Sequence, residues 1–364
     1  MAGFPFMRQA EPFRSSLPFI LLLAVFILPC PMSAAAKPRP AIAFVHLLLP
    51  PGGEPHASPA GWIGSLDRAR DTLESTIVSS ASPGNAEDLN ELSEMDPEVL
   101  ITTSPLLYAA ACDVAKRSPN TVFFACTDET VHDNMSGFQA RTYEAHYLAG
   151  LIAGALSEDG VIGYLANDPY QSKASRLRNA NAFTLGAQKS KAAIRVLYAP
   201  GNDPDEELKT LIAAGADIVD LERALPSLVE RLREHSVRYV GTAGRTVDPL
   251  CLAAPEWEWS NAFGDLLTQV RFGIWRPRNV SYGIKEGVVG LSPFGPAVPE
   301  TVRVRVREAK EAIRNGASPF EGPVRDVSGS LRIAEGSVPD DATLRGMDWR
   351  VQGLEPLPLT PDGL

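Results

Sequence analysis

The chain has 364 residues, 45 % of them hydrophobic and 21 % charged, and a formal net charge of −10. A length of this order predicts about two to three domains with sizeable cores. The acidic balance and the lack of a dense Lys/Arg run exclude nucleic acid as a partner, because duplex binding relies on clustered cations that release counterions.

The first segment reads as a secretory signal peptide over residues 1–36. Arg8 and Arg14 form a weakly basic start, Leu17 to Leu28 is almost wholly apolar, and Ala34-Ala35-Ala36 offers small residues for cleavage after Ala36. The apolar run falls short of the ~20 residues of a comfortable membrane span. Pro29 directly before Cys30 is a poor lipidation context, so a periplasmic protein is expected rather than a lipoprotein. Cys112, Cys126 and Cys251 remain, which allows at most one disulfide. Their spacing and the scattered histidines match no metal site, and all three thiols are expected to act as small buried hydrophobes.

Ala41 to Val45 reads as a buried strand, followed by a Pro/Gly-rich loop from Pro50 to Pro59. Trp62 to Ile77 has helical spacing of Ile63, Leu66, Ala69 and Leu73. Strands follow at Val99–Thr102 and Thr121–Ala125, with a helix at Leu106–Arg117 between them. The alternation resumes with helices at Tyr143–Leu156, Arg176–Lys189, Glu206–Ala214 and Pro226–His235. Between and after them come strands at Val161–Leu165, Ile194–Tyr198, Ile218–Leu221 and Arg238–Gly241. Trp257–Gly273 and Val302–Arg314 read as helices, with strand-like pieces in Val280–Leu291 and a hairpin-and-loop tail from Ser318. Strand–helix alternation of this kind predicts an α/β protein with doubly wound parallel sheets. No phosphate-cradling, dinucleotide-binding, nucleophile-elbow or HExxH motif occurs, so no catalytic residue, metal or cofactor is expected.

Several segments, in order, carry a family resemblance. They are Arg141-Thr142-Tyr143-Glu144 through Tyr147-Leu148-Ala149-Gly150, Asn181-Ala182-Phe183 with Gly186-Ala187, Trp257-Glu258-Trp259, Lys285-Glu286-Gly287 with Leu291-Ser292-Pro293-Phe294-Gly295-Pro296-Ala297-Val298-Pro299, and Met347-Asp348-Trp349 with Val351 and Gly353. Together they resemble the basic membrane protein (BMP) family of ABC-transporter substrate-binding proteins over roughly residues 40–355. The resemblance implies a type I periplasmic binding protein: two α/β lobes joined by a hinge, closing on a small molecule, by default a purine nucleoside or nucleobase, for delivery to an ABC permease. It implies lobe 1 over 37–137 and 246–290, lobe 2 over 138–245 and 291–323, and a C-terminal extension over 324–364. A monomer is expected, meeting the membrane only through the permease or an uncleaved N-terminus.

The same resemblance implies the ligand-binding residues. Trp62 would stack on the base, Lys285 would reach the ribose or a polar edge, and Trp257 would sit near the hinge. Arg178 and Asn181 would face the ligand from lobe 2, and Ser104 from a cleft loop of lobe 1. Glu54 would replace a displaced carboxylate. The pocket departs from the family pattern elsewhere. The loop Ser104-Pro105-Leu106-Leu107 lacks the family's aromatics, the entry from Gly52 to Trp62 is stretched, and Gly241-Thr242-Ala243-Gly244-Arg245 lacks the acid that holds ribose hydroxyls. These losses leave open an alternative in which the same fold senses a different ligand and signals rather than transports.

Overall fold

The structure, a computed structural model, describes residues 44–49, 59–72, 78–83, 85–127, 132–241 and 248–358. The predicted signal segment and the stretch 52–58, which includes Glu54, lie outside them.

The chain runs β1 (Phe44–Leu49), α1 (Pro59–Thr72), β2 (Val78–Pro83), α2 (Ala86–Glu94), β3 (Val99–Thr102), α3 (Tyr108–Arg117), β4 (Val122–Cys126) and β5 (Met135–Ala140). It continues through α4 (Thr142–Leu156), β6 (Val161–Leu165), α5 (Lys173–Ser190), β7 (Arg195–Ala199), α6 (Pro204–Ala213), β8 (Ile218–Leu221), α7 (Pro226–Glu234), β9 (Arg238–Gly241) and β10 (Cys251–Ala253). Then come β11 (Pro255–Trp257), α8 (Ser260–Phe272), β12 (Asn279–Tyr282), β13 (Val289–Leu291), α9 (Glu300–Arg314), β14 (Val324–Arg325), β15 (Leu331–Ile333), α10 (Asp341–Arg345) and β16 (Leu354–Pro356).

Two six-stranded sheets result, in the orders β12-β5-β4-β3-β1-β2 and β10-β9-β8-β6-β7-β16. Every pairing in both is parallel. Helices on both faces leave the central strands without a solvent side, which is why β3 and β8 are buried at all four positions. Local signals fix the helix ends. Asn85 and Asp88 form a capping box on α2, Ser172 caps α5, and Gly273 ends α8 at φ 59°.

Two of the differences from the sequence expectation concern how the segments after β10 are paired. Trp257–Gly273 is not one helix: Pro255–Trp257 is a strand paired antiparallel with Val289–Leu291, and helix begins only at Ser260. The two short strands β11 and β13 join segments that pass between the sheets, and this pairing outweighs the helical spacing. Leu354–Pro356 also forms the edge strand beyond β7 rather than a loop.

α4 and α5 are pressed together through glycines. A Cβ on Gly150 would lie 2.0 Å from the Phe183 carbonyl oxygen, and one on Gly186 would lie 2.1 Å from that of Tyr147. Only glycine lets the two backbones approach this far.

Candidate ligand site at the strand ends and the hinge

In open α/β sheets, ligands bind beyond the carboxyl ends of the strands, where strand order reverses. Here the reversals lie between β1 and β3 in one sheet and between β6 and β8 in the other. The first sheet offers Thr102, Thr103 and Ser104, all buried. Ser104 Oγ accepts from Leu106 N at 3.3 Å and caps a short 3-10 turn. Thr102 Oγ1 is buried with no hydrogen-bond partner among the described residues.

The second reversal carries a buried polar cluster that the sequence reading did not select. Tyr164 pairs in register with Asp220, and strand alternation places Glu222 on the same side of β8 as Asp220. Tyr164 Oη donates to Glu222 Oε1 at 2.9 Å, and Asn179 Nδ2 approaches the same oxygen at 3.5 Å. His146 Nδ1 lies 3.2 Å from Asp220 Oδ2, with both side chains buried. Asn167 ties the two strand ends together, donating to Arg223 O at 2.8 Å and accepting from Arg223 N at 2.9 Å. Asp168 shapes the following turn by accepting from Tyr170 N and Gln171 Nε2, each at 3.1 Å.

Burial pushes Glu222 up to about 7, opposed by the charge of His146. Burial, the largest single influence, acts to lower the His146 pKa, but Asp220 together with Glu222 and Asp168 turns the net shift upward. Three carboxyl groups around one imidazole favour N–H donors and cations over anions.

Both raised groups act in the same direction on stability. A group with a folded-state pKa above its unfolded value stabilises at low pH and loses that contribution as pH rises through the folded value. Stability is therefore expected to fall between about pH 5 and about pH 8, by on the order of 1–3 kcal/mol from Glu222. Melting curves across that range test this. Glu222→Gln should flatten the profile, and an unchanged slope in that variant would remove Glu222 as a source.

The hinge explains two sequence motifs at once. Arg141 N donates to Tyr282 O at 2.8 Å, where the chain leaves the first sheet for α4. Its guanidinium grips Asp341 with two bonds, of 3.1 and 2.9 Å, and reaches Glu286 Oε2 at 3.3 Å. Glu286 Oε2 accepts from Gly283 N and Glu144 Oε2 from Ile284 N, each at 2.7 Å. The Arg141–Glu144 motif and the Lys285-Glu286-Gly287 motif thus meet across 145 residues of sequence. The member of the second motif that is engaged here is Glu286, whereas Lys285 is exposed at the turn.

The remaining expected site residues are placed as follows. Trp62 is 2 % exposed, with its ring stacked on Trp259 at 4.9 Å and 14° and tilted against Phe263 at 6.0 Å, so the core uses its faces. Trp257 is half-buried in β11. Arg178 and Asn181 are brought together, but by the C-terminal segment. Arg178 Nη1 donates to Leu344 O at 3.1 Å, and its guanidinium lies over the Tyr143 ring at 5.7 Å. Asn181 Nδ2 donates to Met347 Sδ at 3.0 Å and Trp349 O at 2.8 Å, while its Oδ1 accepts from Val351 N at 2.9 Å.

Two parallel α/β sheets with reversal points and crossing segments between them give the two-lobed fold of the type I periplasmic binding proteins. Known proteins agree. Residues 70–213 match the family model described as Bmp, ABC transporter substrate-binding protein PnrA-like. A purine-binding protein of Brucella abortus is 28 % identical over 89 % of this chain and 95 % of its own. A putative ABC transporter glucose-binding protein of Haloferax volcanii is 28 % identical over 77 % of this chain and 78 % of its own. The solved structure of an ABC transporter solute-binding protein from Conexibacter woesei shares the fold, with a TM-score of 0.59 and 18 % identity over 75 % of this chain and 97 % of that one. These findings support membership of the BMP family of ABC-transporter substrate-binding proteins, a family that is itself non-enzymatic and extracytoplasmic. Among the described residues, no helix is long and apolar enough to cross a membrane.

Proposed function

We propose that this protein captures a purine nucleobase or nucleoside between its lobes and presents it to an ABC permease from the periplasm, after removal of residues 1–36. The observation that carries this reading is the likeness to a purine-binding relative along nearly the whole chain. The buried acceptors at the second reversal point support it, since Asp168, Asp220 and Glu222 suit the N–H edges of a purine and would repel an anion. The named glucose-binding relative makes a sugar the second reading.

A thermal-shift screen of adenine, guanine, hypoxanthine, their nucleosides, glucose, ribose and amino acids separates these. A ligand at 100 times its Kd stabilises by about 2.7 kcal/mol. A rise in Tm with one or more purines and none with sugars is expected. A response to sugars alone would replace the purine assignment with the second reading.

A further inference from the structure

The crevice between β6 and β8 carries a side chain that lies outside every sequence motif. Leu165 and Leu221 pair at the carboxyl ends of these strands, beyond which the two chain segments diverge. The segments that follow β6, β7, β8 and β9, residues 166–172, 200–203, 222–225 and 242–250, hold one Phe, Tyr or Trp among them, Tyr170. A tight turn presents it. Gln171 N donates to Asp168 O at 3.4 Å, Pro169 takes the second place of the turn, and Tyr170 N donates to Asp168 Oδ1 at 3.1 Å. The anchor of the turn, Asp168, is fully buried. From the other side of the crevice, Arg223 lays its guanidinium over the Tyr170 ring, 5.8 Å from the centroid. The paired bonds between Asn167 and the Arg223 main chain hold the two sides in step. Arg176 ties on the segment after β7 by donating to Ala166 O and Pro200 O, each at 2.9 Å.

We propose that Tyr170 is the stacking platform of the second lobe, its ring taking one face of a planar nitrogen heterocycle such as a purine base. This rests on the purine reading and names the residue that holds the base. The platform expected from the first lobe, Trp62, is stacked on Trp259 inside the core. Tyr170 instead is half-buried at the reversal point, where a cleft ligand meets the second sheet. The Pro169 turn and the guanidinium over the ring fix its orientation before a ligand arrives, so little side-chain freedom is lost on binding. An offset stack on such a ring favours flat, polarisable ligands, which is how one aromatic residue selects a base. The Glu222 carboxyl borders the same turn, 3.4 Å from Asp168 N, so an acceptor for N–H groups stands beside the platform.

Isothermal titration of the full chain with adenine, guanine, hypoxanthine and their nucleosides tests this. Tyr170→Leu keeps apolar bulk but removes the π-face, and should weaken binding of the tightest purine by roughly 10- to 100-fold, the range for losing one base–aromatic stack. Tyr170→Phe keeps the ring and should bind within about threefold of the wild type. The ligand-free Tm of both variants should stay within a few degrees of the wild type, because the side chain is partly exposed. If circular dichroism shows Tyr170→Leu to be unfolded, Tyr170→Gln takes its place with the same expected loss. Absence of purine binding by the wild type overturns this inference together with the reading it rests on. Purine binding undiminished in Tyr170→Leu overturns this inference alone. So does an equal loss in Tyr170→Phe, which would assign the effect to the hydroxyl group rather than the ring.

Discussion

Trp62→Ala is expected to lower the unfolding free energy by about 3–5 kcal/mol, the range for truncating a buried aromatic. The indole is stacked on Trp259, and that ring meets Phe138 edge-on at 5.1 Å, which in turn stacks on Phe124 at 4.1 Å. Truncation would leave a cavity at one end of this aromatic series and take away a large fraction of the ~5–15 kcal/mol that holds an ordinary domain. Trp62→Phe should cost less, because it keeps one ring in the stack and removes an indole N–H that has no acceptor among the described residues. Chemical denaturation of both variants measures this. An unchanged midpoint for the alanine variant would show that the ring does not support the core. A purine response lost in the alanine variant but kept in the phenylalanine variant at matched stability would mean that an aromatic face at position 62 also serves the ligand.

Gly186→Ala should lower Tm by about 10 °C or more, equivalent to roughly 3 kcal/mol for a lobe of this size. The added methyl group would meet the Tyr147 carbonyl oxygen at 2.1 Å. The obstacle is backbone, which cannot rotate away as a side chain can, so α4 and α5 must separate. A Cβ on Gly150 or Gly154 would stand as close, 2.0 and 2.2 Å, to the Phe183 and Ala187 carbonyl oxygens, so the helices are in near backbone contact along their pairing and the separation would strip contact along it. Gly264→Ala on α8 is the control: nothing lies within 4 Å of the new methyl group, and the higher helix propensity of alanine should leave Tm equal or slightly raised. Equal melting of the two variants would refute the close-approach argument.

The architecture was readable because strands sandwiched between helices must be apolar on both sides, as in Val99-Leu100-Ile101-Thr102. β5 escaped notice because Met135-Ser136-Gly137-Phe138-Gln139-Ala140 lacks such a run, yet its Phe138 lies deep in the aromatic series. The motifs were visible, but what each one touches was not, since partners so far apart in sequence leave no local trace. The Asn181 motif and the Met347-Asp348-Trp349 motif prove to be two sides of one contact, and so do Glu144 and the segment before Glu286. The buried cluster at the second reversal did leave a signal. Asp220 interrupts the otherwise apolar Ile218-Val219-Asp220-Leu221, and an acid inside a doubly covered strand calls for a partner such as His146.

The strand order also dictates when the protein can be finished during synthesis. One sheet takes its outermost member from Asn279–Tyr282 and the other from Leu354–Pro356, so each waits for late-translated residues to cover an edge. A ribosome stalled before those codons would carry a nascent product with open strand borders at β5 and β7, which invite pairing with neighbouring chains. Each half therefore gains its outer edge only once residues 279–282 or 354–356, respectively, have been translated.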